Sequence, residues 1–201
     1  MEKIKWEEYG RIAVYIDNAN IIHSPRELGW YISLEKLSNF FKSSGNLQLI
    51  KLFDSIPEEE DLNKLLGKRR RGFTKKDYKI YLERSNKQRD FFKRAKEEWE
   101  IDIVLKPLRF ILDKKTKKYI PKGDCDVDLT VDAIRRRKRY DSVFLISGDG
   151  DYVAVVKYLK QCKKRVVVMS TRDLVANILI EASNEYIDSN KLKDELFLKP
   201  Y

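Results

Sequence analysis

Short, continuous apolar runs of strand length, separated by stretches of helical character, constrain this chain more than any other feature. Arg11-Ile-Ala-Val-Tyr-Ile16, Ser142-Val-Phe-Leu-Ile146 and Arg165-Val-Val-Val-Met169 lack the polar–apolar alternation of a half-exposed strand. Strands read this way when both faces of their sheet are covered, which is the habit of parallel sheets joined by helical crossovers. The expected strands are 11–17, 47–53, 101–112, 142–147 and 165–169. Helices are expected at about 33–43, 86–100, 126–139, 151–162 and 173–183, with a short hairpin through Asp113 to Lys118 and a helical segment near 190–197. In the helix after Asp151, Tyr152, Val155, Val156 and Leu159 fall on one face, and Asp151 suits its N-cap. The fold class that follows is α/β: a doubly wound, mostly parallel sheet flanked by helices in three layers.

A length of 201 residues suits one buried core. A single domain over 1–201 is therefore expected, with a basic insertion at about 60–85 and a C-terminal helical tail at about 185–201. No run approaches the roughly 18 apolar residues of a membrane helix, and the first residues lack the apolar stretch of a signal peptide, so the expected compartment is the cytoplasm. Cys125 and Cys162 have neither CxxC spacing nor enough partners for a disulfide framework, and both are expected as reduced, buried thiols. His23 is the only histidine. Imidazole-driven chemistry and zinc ligation are thereby weakened, and carboxylates are left to carry any reaction. An oxygen-only donor set suits magnesium or manganese.

Two of the apolar runs end in acid. Asp17 follows the first, with Asn18 and Asn20 behind it, and Ser147-Gly-Asp-Gly-Asp151 follows the run at 142–146. Strand ends are where α/β folds build their sites. A third acidic group, at 124, 126, 128 and 132, runs from a loop into a helix. Part of that pattern serves the helix macrodipole, as the cations at Arg135 to Arg139 do at the other end. Carboxylates gathered against Asp17 and Asp149 would nonetheless repel one another unless a cation neutralised them. Asp126, near the N-cap, can aim at the same crevice as Asp17 and Asp149. Asp128 is a candidate either for supporting that metal's ligands from behind or for holding a second metal, and Asp124 and Asp132 are weaker candidates. For Asp151 capping and ligation weigh equally, whereas Asp149 has no expected capping role. Asn20 is a candidate for orienting a carboxylate, water or phosphate.

The net charge of +10 is regional. Between Lys64 and Lys96 there are fourteen basic and three acidic residues, and the remainder of the chain is close to neutral. Phe73, Tyr78, Tyr81, Phe91 and Phe92 interleave with those charges, a mixture able to neutralise phosphates and stack bases. For Phe91, Phe92 and Trp99 the spacing favours one buried face of a helix instead. The candidate contacts to the phosphates of a polyanion are Lys68, Arg69, Arg70 and Arg71 on an expected exposed loop, together with Lys75, Lys76 and Lys122.

Val14-Tyr-Ile-Asp-Asn-Ala-Asn20, Lys122-Gly-Asp-Cys-Asp-Val-Asp-Leu-Thr-Val-Asp-Ala-Ile134, Val143-Phe-Leu-Ile-Ser-Gly-Asp-Gly-Asp-Tyr152 and the Lys164-Arg-Val-Val-Val strand resemble, in order and spacing, the NYN domain family, the PIN-like group that includes LabA-like proteins. The resemblance implies a metal-dependent endoribonuclease in which Asp17, Asp126 and Asp149, assisted by Asp151, hold Mg2+ or Mn2+. It implies a single-stranded or structured RNA substrate and products ending in a 5′-phosphate and a 3′-hydroxyl. Asp128 and the basic insertion lie outside the matching pattern. A catalytically silent RNA-binding or regulatory protein of the same fold is the alternative reading, and a homodimer is left open. Phosphatase or Toprim-like chemistry is disfavoured because the first strand carries Asp-Asn-Ala-Asn rather than an Asp-x-Asp pair.

Overall fold

The computed structural model describes residues 4–19, 30–67, 73–116 and 118–198. Its strands and helices run in chain order as β1 (Ile12–Asp17), β2 (Tyr31–Ile32), α1 (Leu34–Lys42), β3 (Leu47–Ile56), α2 (Glu59–Gly67), α3 (Lys75–Glu98), β4 (Asp102–Pro107), β5 (Arg109–Leu112), β6 (Tyr119–Lys122), α4 (Asp126–Arg135), β7 (Ser142–Ile146), α5 (Val153–Gln161), β8 (Arg165–Ser170), α6 (Asn177–Ala182), β9 (Glu185–Asp188), α7 (Lys193–Leu196) and β10 (Phe197–Leu198).

Six strands form one sheet in the order β4-β3-β1-β7-β8-β9, and every pairing in it is parallel. The chain builds outward from β1 to β3 and β4, then returns to β7 and builds the other way. The reversal between β1 and β7 is the topological switch point, beyond whose carboxyl ends such folds open a crevice. Every residue of β1 and β7 is buried, as their unbroken apolar runs require. Side-chain alternation then divides β1 between two layers. Ile12, Val14 and Ile16 pack with Leu37, Phe41 and Phe92 on one face, while Ala13 and Tyr15 pack with Leu129, Val156 and Leu179 on the other.

Several expected boundaries move, each for a physical reason. The segment 101–112 is two strands in different sheets: β4 joins the main sheet, and β5 turns away to pair antiparallel with β6. The basic insertion is mostly helical where it is described, in α2 and the start of α3, and the expected loop at Lys68 to Arg71 lies outside the described residues. Thr74 and Asp77 form a capping box, each side chain bonding the other's backbone N–H, so α3 begins eleven residues before the expected start at 86. β9 and the two-residue pair β2–β10 are additional strands, too short or too polar to stand out as apolar runs.

The aromatics among the basic residues are also reassigned. Phe73 is buried and stacks on Tyr81 at 6.1 Å, and both meet Phe110 of β5. With Leu62, Leu65, Tyr78 and Tyr119 they form a small third core between α2, the first half of α3 and the β5–β6 ribbon. These rings hold an arm together, with Phe73 buried and Tyr78 and Tyr81 partly exposed at its surface. The second half of α3 returns to the main sheet through buried Phe92 and Ala95, with Phe91 against Trp99 at 5.5 Å.

Candidate metal centre

Three structural elements deliver the acids to the switch-point crevice. Asp17 is the last residue of β1 and is buried. Asp126 opens α4, and Asp149 and Asp151 follow β7 in the loop that leads into α5. Carboxylate oxygens of Asp126, Asp149 and Asp151 lie within 4.8 Å of one another, a grouping compatible with a metal ion. They line a cleft of about 310 Å³ with Asp17, Asp54 and Lys122.

Hydrogen bonds fix the carboxylates. The Ser147 hydroxyl donates to Asp17 Oδ2 at 3.1 Å and accepts from the backbone N–H of Asp149 at 3.1 Å, joining the β1 and β7 ends. The Tyr152 hydroxyl donates to Asp126 Oδ1 at 2.7 Å and lies 3.4 Å from Asp17 Oδ2. Burial, then the facing Asp17, raises the Tyr152 pKa far above its usual value, so the hydroxyl stays a donor. Gly148 is required between these anchors: a Cβ there would sit 2.4 Å from the carbonyl oxygen of Leu174.

Proton affinities separate across the cluster. Burial, followed by Asp124 and Asp17, pushes Asp126 up to about 6, even though the Tyr152 hydrogen bond pulls it down. Asp124 moves the other way because its carboxylate accepts the Asp126 backbone N–H. A cation would relieve the charge crowding that raises Asp126. Burial pushes the Cys125 thiol up to about 12, which leaves it protonated and the donors around the cleft oxygen-only. That set fits a hard divalent cation.

The capping role falls on a different residue from the one expected. Asp149 is the N-cap of the 3₁₀ turn Gly150–Tyr152, its Oδ1 accepting from the Asp151 N–H at 2.9 Å, and the Asp151 carboxylate is exposed. Position Asp128 lies on another side of α4, since residues two apart on a helix point in different directions. Its carboxylate pairs with Lys106 at 2.6 Å, outside the three-acid group. Asp132 is engaged in the fold: it accepts from Lys51 at 2.8 Å, from Arg136 and from Tyr15, and those cations lower its pKa against the opposing effect of burial.

Asp54, which sequence reasoning passed over, belongs at the cleft. It lies in β3, in register with Leu105 on β4 and one residue beyond the partner of Asp17. Asn18 and Gln88 donate to its Oδ2 at 2.6 and 2.5 Å, and the Ser55 N–H donates to Oδ1, while burial raises its pKa. The available signal was the same as for Asp17, an acid ending a buried run. Lys122 lines the cleft, and Lys75 and Lys76 are exposed in the first turn of α3. Asn20 and Lys68, Arg69, Arg70 and Arg71 lie outside the described residues.

The fold and the cleft together define a three-layer α/β protein with a carboxylate crevice at the switch point of a parallel sheet. The family model for the NYN domain matches residues 11–120 and 76–190, and the chain belongs to that family. It is similar to the low amplitude and bright protein LabA of Synechococcus elongatus, with 22% identity over 186 residues, covering 91% of this chain and 86% of that protein. The crystal structure of VPA0982, a protein of unknown function from Vibrio parahaemolyticus, superposes with a TM-score of 0.67 at 22% identity, covering 94% of this chain and 97% of that one. That likeness supports the three-layer fold. No described helix is long and apolar enough to cross a membrane.

Proposed function

We propose that this protein is a metal-dependent endoribonuclease that hydrolyses RNA phosphodiester bonds. The observation that carries the reading is the convergence of Asp126, Asp149 and Asp151 within 4.8 Å, beside buried Asp17, at the switch point. Membership of a family with a PIN-like nuclease fold supports the same reading. Asp126, Asp149 and Asp151 would hold Mg2+ or Mn2+, with Asp17 alongside. The bound ion would supply activation of the attacking water and neutralisation of charge on the phosphate.

The chain's own groups do the positioning. Ser147 and Tyr152 donate to Asp17 and Asp126, so these carboxylates present fixed lone pairs to the cleft. Asp149 is held by the backbone N–H of Asp151. Lys122, at the cleft edge, supplies positive charge where a backbone phosphate would lie. RNA cleavage by wild type and Asp149→Asn, with manganese and with EDTA, tests the proposal. Cleavage by wild type with manganese alone, lost in the variant while RNA binding persists, is the expected result. Undiminished cleavage by the variant sinks the assignment, and salt-sensitive RNA binding with no cleavage at any metal concentration favours a silent RNA-binding protein.

A further inference from the structure

The β5–β6 ribbon, which borders the cleft, has two chemically distinct faces. Its register sets Arg109 opposite Lys122 and Ile111 opposite Ile120. Paired residues, and residues two apart on one strand, share a face. Arg109, Ile111, Ile120 and Lys122 therefore form one face, and Phe110, Leu112, Tyr119 and Pro121 the other. Phe110 and Tyr119 anchor the ribbon in the small third core. The first face is left to solvent: Ile111 and Ile120 are each 50% exposed, and both cations are exposed.

Two features of this face call for a ligand. Like charges directly opposite one another destabilise a strand pair, and neither Arg109 nor Lys122 makes a salt bridge among the described residues, Lys122 acting on Asp124 only at longer range, whereas nearby Lys106 and Lys64 are paired with Asp128 and Glu60. An exposed aliphatic pair lies beside them, close to a polar cleft. Lys122 and Asp124 line both the acidic cleft and a neighbouring recess of about 250 Å³, which also includes Arg109 and Ile111. Arg109 and Ile111 line in turn a third recess of about 460 Å³ beside Lys64. Shared residues link the three recesses into one path leading away from the carboxylates.

We propose that this face guides a single-stranded stretch of RNA into the cleft, deepening the nuclease reading on which it rests. Backbone phosphates lie against Lys122 and Arg109, and unpaired bases lie on Ile111 and Ile120. A duplex keeps its base faces stacked inside and offers nothing to the isoleucine pair, so the face selects single strands.

The test is fluorescence anisotropy in EDTA, where binding is read without cleavage, using a short labelled oligouridine and a duplex of the same length. Arg109→Ala and Lys122→Ala should each weaken single-strand binding and lower the slope of log affinity against log salt by about 1. Replacing Ile111 and Ile120 with serine should weaken it about fivefold or more with the slope unchanged, and leave duplex binding untouched. Arg109→Lys should keep the slope, and unchanged circular dichroism melts would show that the ribbon is intact. Wild-type binding by the alanine and serine variants overturns the proposal, as does a parallel loss of duplex binding in the isoleucine variant. Losses of binding without manganese-dependent cleavage in the wild type would uphold the guide and remove the nuclease; cleavage with unchanged binding by the variants would do the reverse.

Discussion

The Tyr152 hydroxyl stands 2.7 Å from Asp126 Oδ1 and 3.4 Å from Asp17 Oδ2, at the junction of β1, α4 and the turn after β7. One proton serves the nearer carboxylate, and the buried ring fixes where that carboxylate points. Tyr152→Phe keeps the ring and removes the donor. Manganese affinity, or cleavage if binding is saturated, should fall about 10–100-fold, the usual cost of losing a partner behind a metal ligand. Calorimetric titration with manganese measures it, and an unchanged affinity would assign Tyr152 to packing alone.

Asp126 makes the metal-free protein sensitive to pH. Its folded pKa, about 6, lies above the ordinary 3.8, so the folded state holds the proton more tightly than the unfolded chain. This group's contribution to stability is therefore largest at low pH and is lost as pH rises through about 6. In EDTA at pH 7.5, Asp126→Asn should melt about 2–4 °C above wild type, the equivalent of roughly 1 kcal/mol. The advantage should shrink as pH falls toward 4. Added manganese should raise the wild-type melting temperature and leave the variant's unmoved.

Two substitutions separate the roles of Asp149. Asparagine retains an acceptor for the Asp151 N–H, whereas alanine removes it. Both should abolish cleavage, but only Asp149→Ala should also lose stability, by about 1 kcal/mol, as expected for a lost cap. Urea titration of the two variants makes the comparison. Equal stabilities would deny the capping bond any weight.

Asp132 illustrates an acid committed to the fold. Lys51 is almost completely buried beside it, and the pair ties α4 to β3 with Tyr15 and Arg136 contributing. Asp132→Ala should destabilise the protein by about 3–5 kcal/mol, because it leaves the Lys51 charge uncompensated. Lys51→Met in the same chain should recover much of that loss. Chemical denaturation of the single and double variants tests both statements.

Much of this was legible in the chain itself, for reasons that differ from residue to residue. Ile12–Ile16 and Val143–Ile146 announce strands covered on both faces because nothing polar interrupts them, and the acids that end them mark the crevice by position alone. Asp54 escaped notice because β3 runs three residues beyond the apolar stretch that defined it. The capping role of Asp149 depends on a 3₁₀ turn preceding α5, which helical spacing does not reveal. Charge density correctly marked 64–96 as basic. It could not show that Phe73 and Tyr81 face Phe110, a partner that arrives from a strand some thirty residues later.

The third hydrophobic cluster shares no residue with the two that clothe the sheet. α2 and the β5–β6 ribbon thus carry a small core of their own, joined to the body by α3, whose 24 residues reach about 36 Å, and by the short links from β3, from β4 and into α4. Amides of the ribbon should exchange with solvent through local opening that leaves β1 and β8 closed. Only at Lys122, where the ribbon meets the acidic cleft, would such an opening be felt directly by the aspartates.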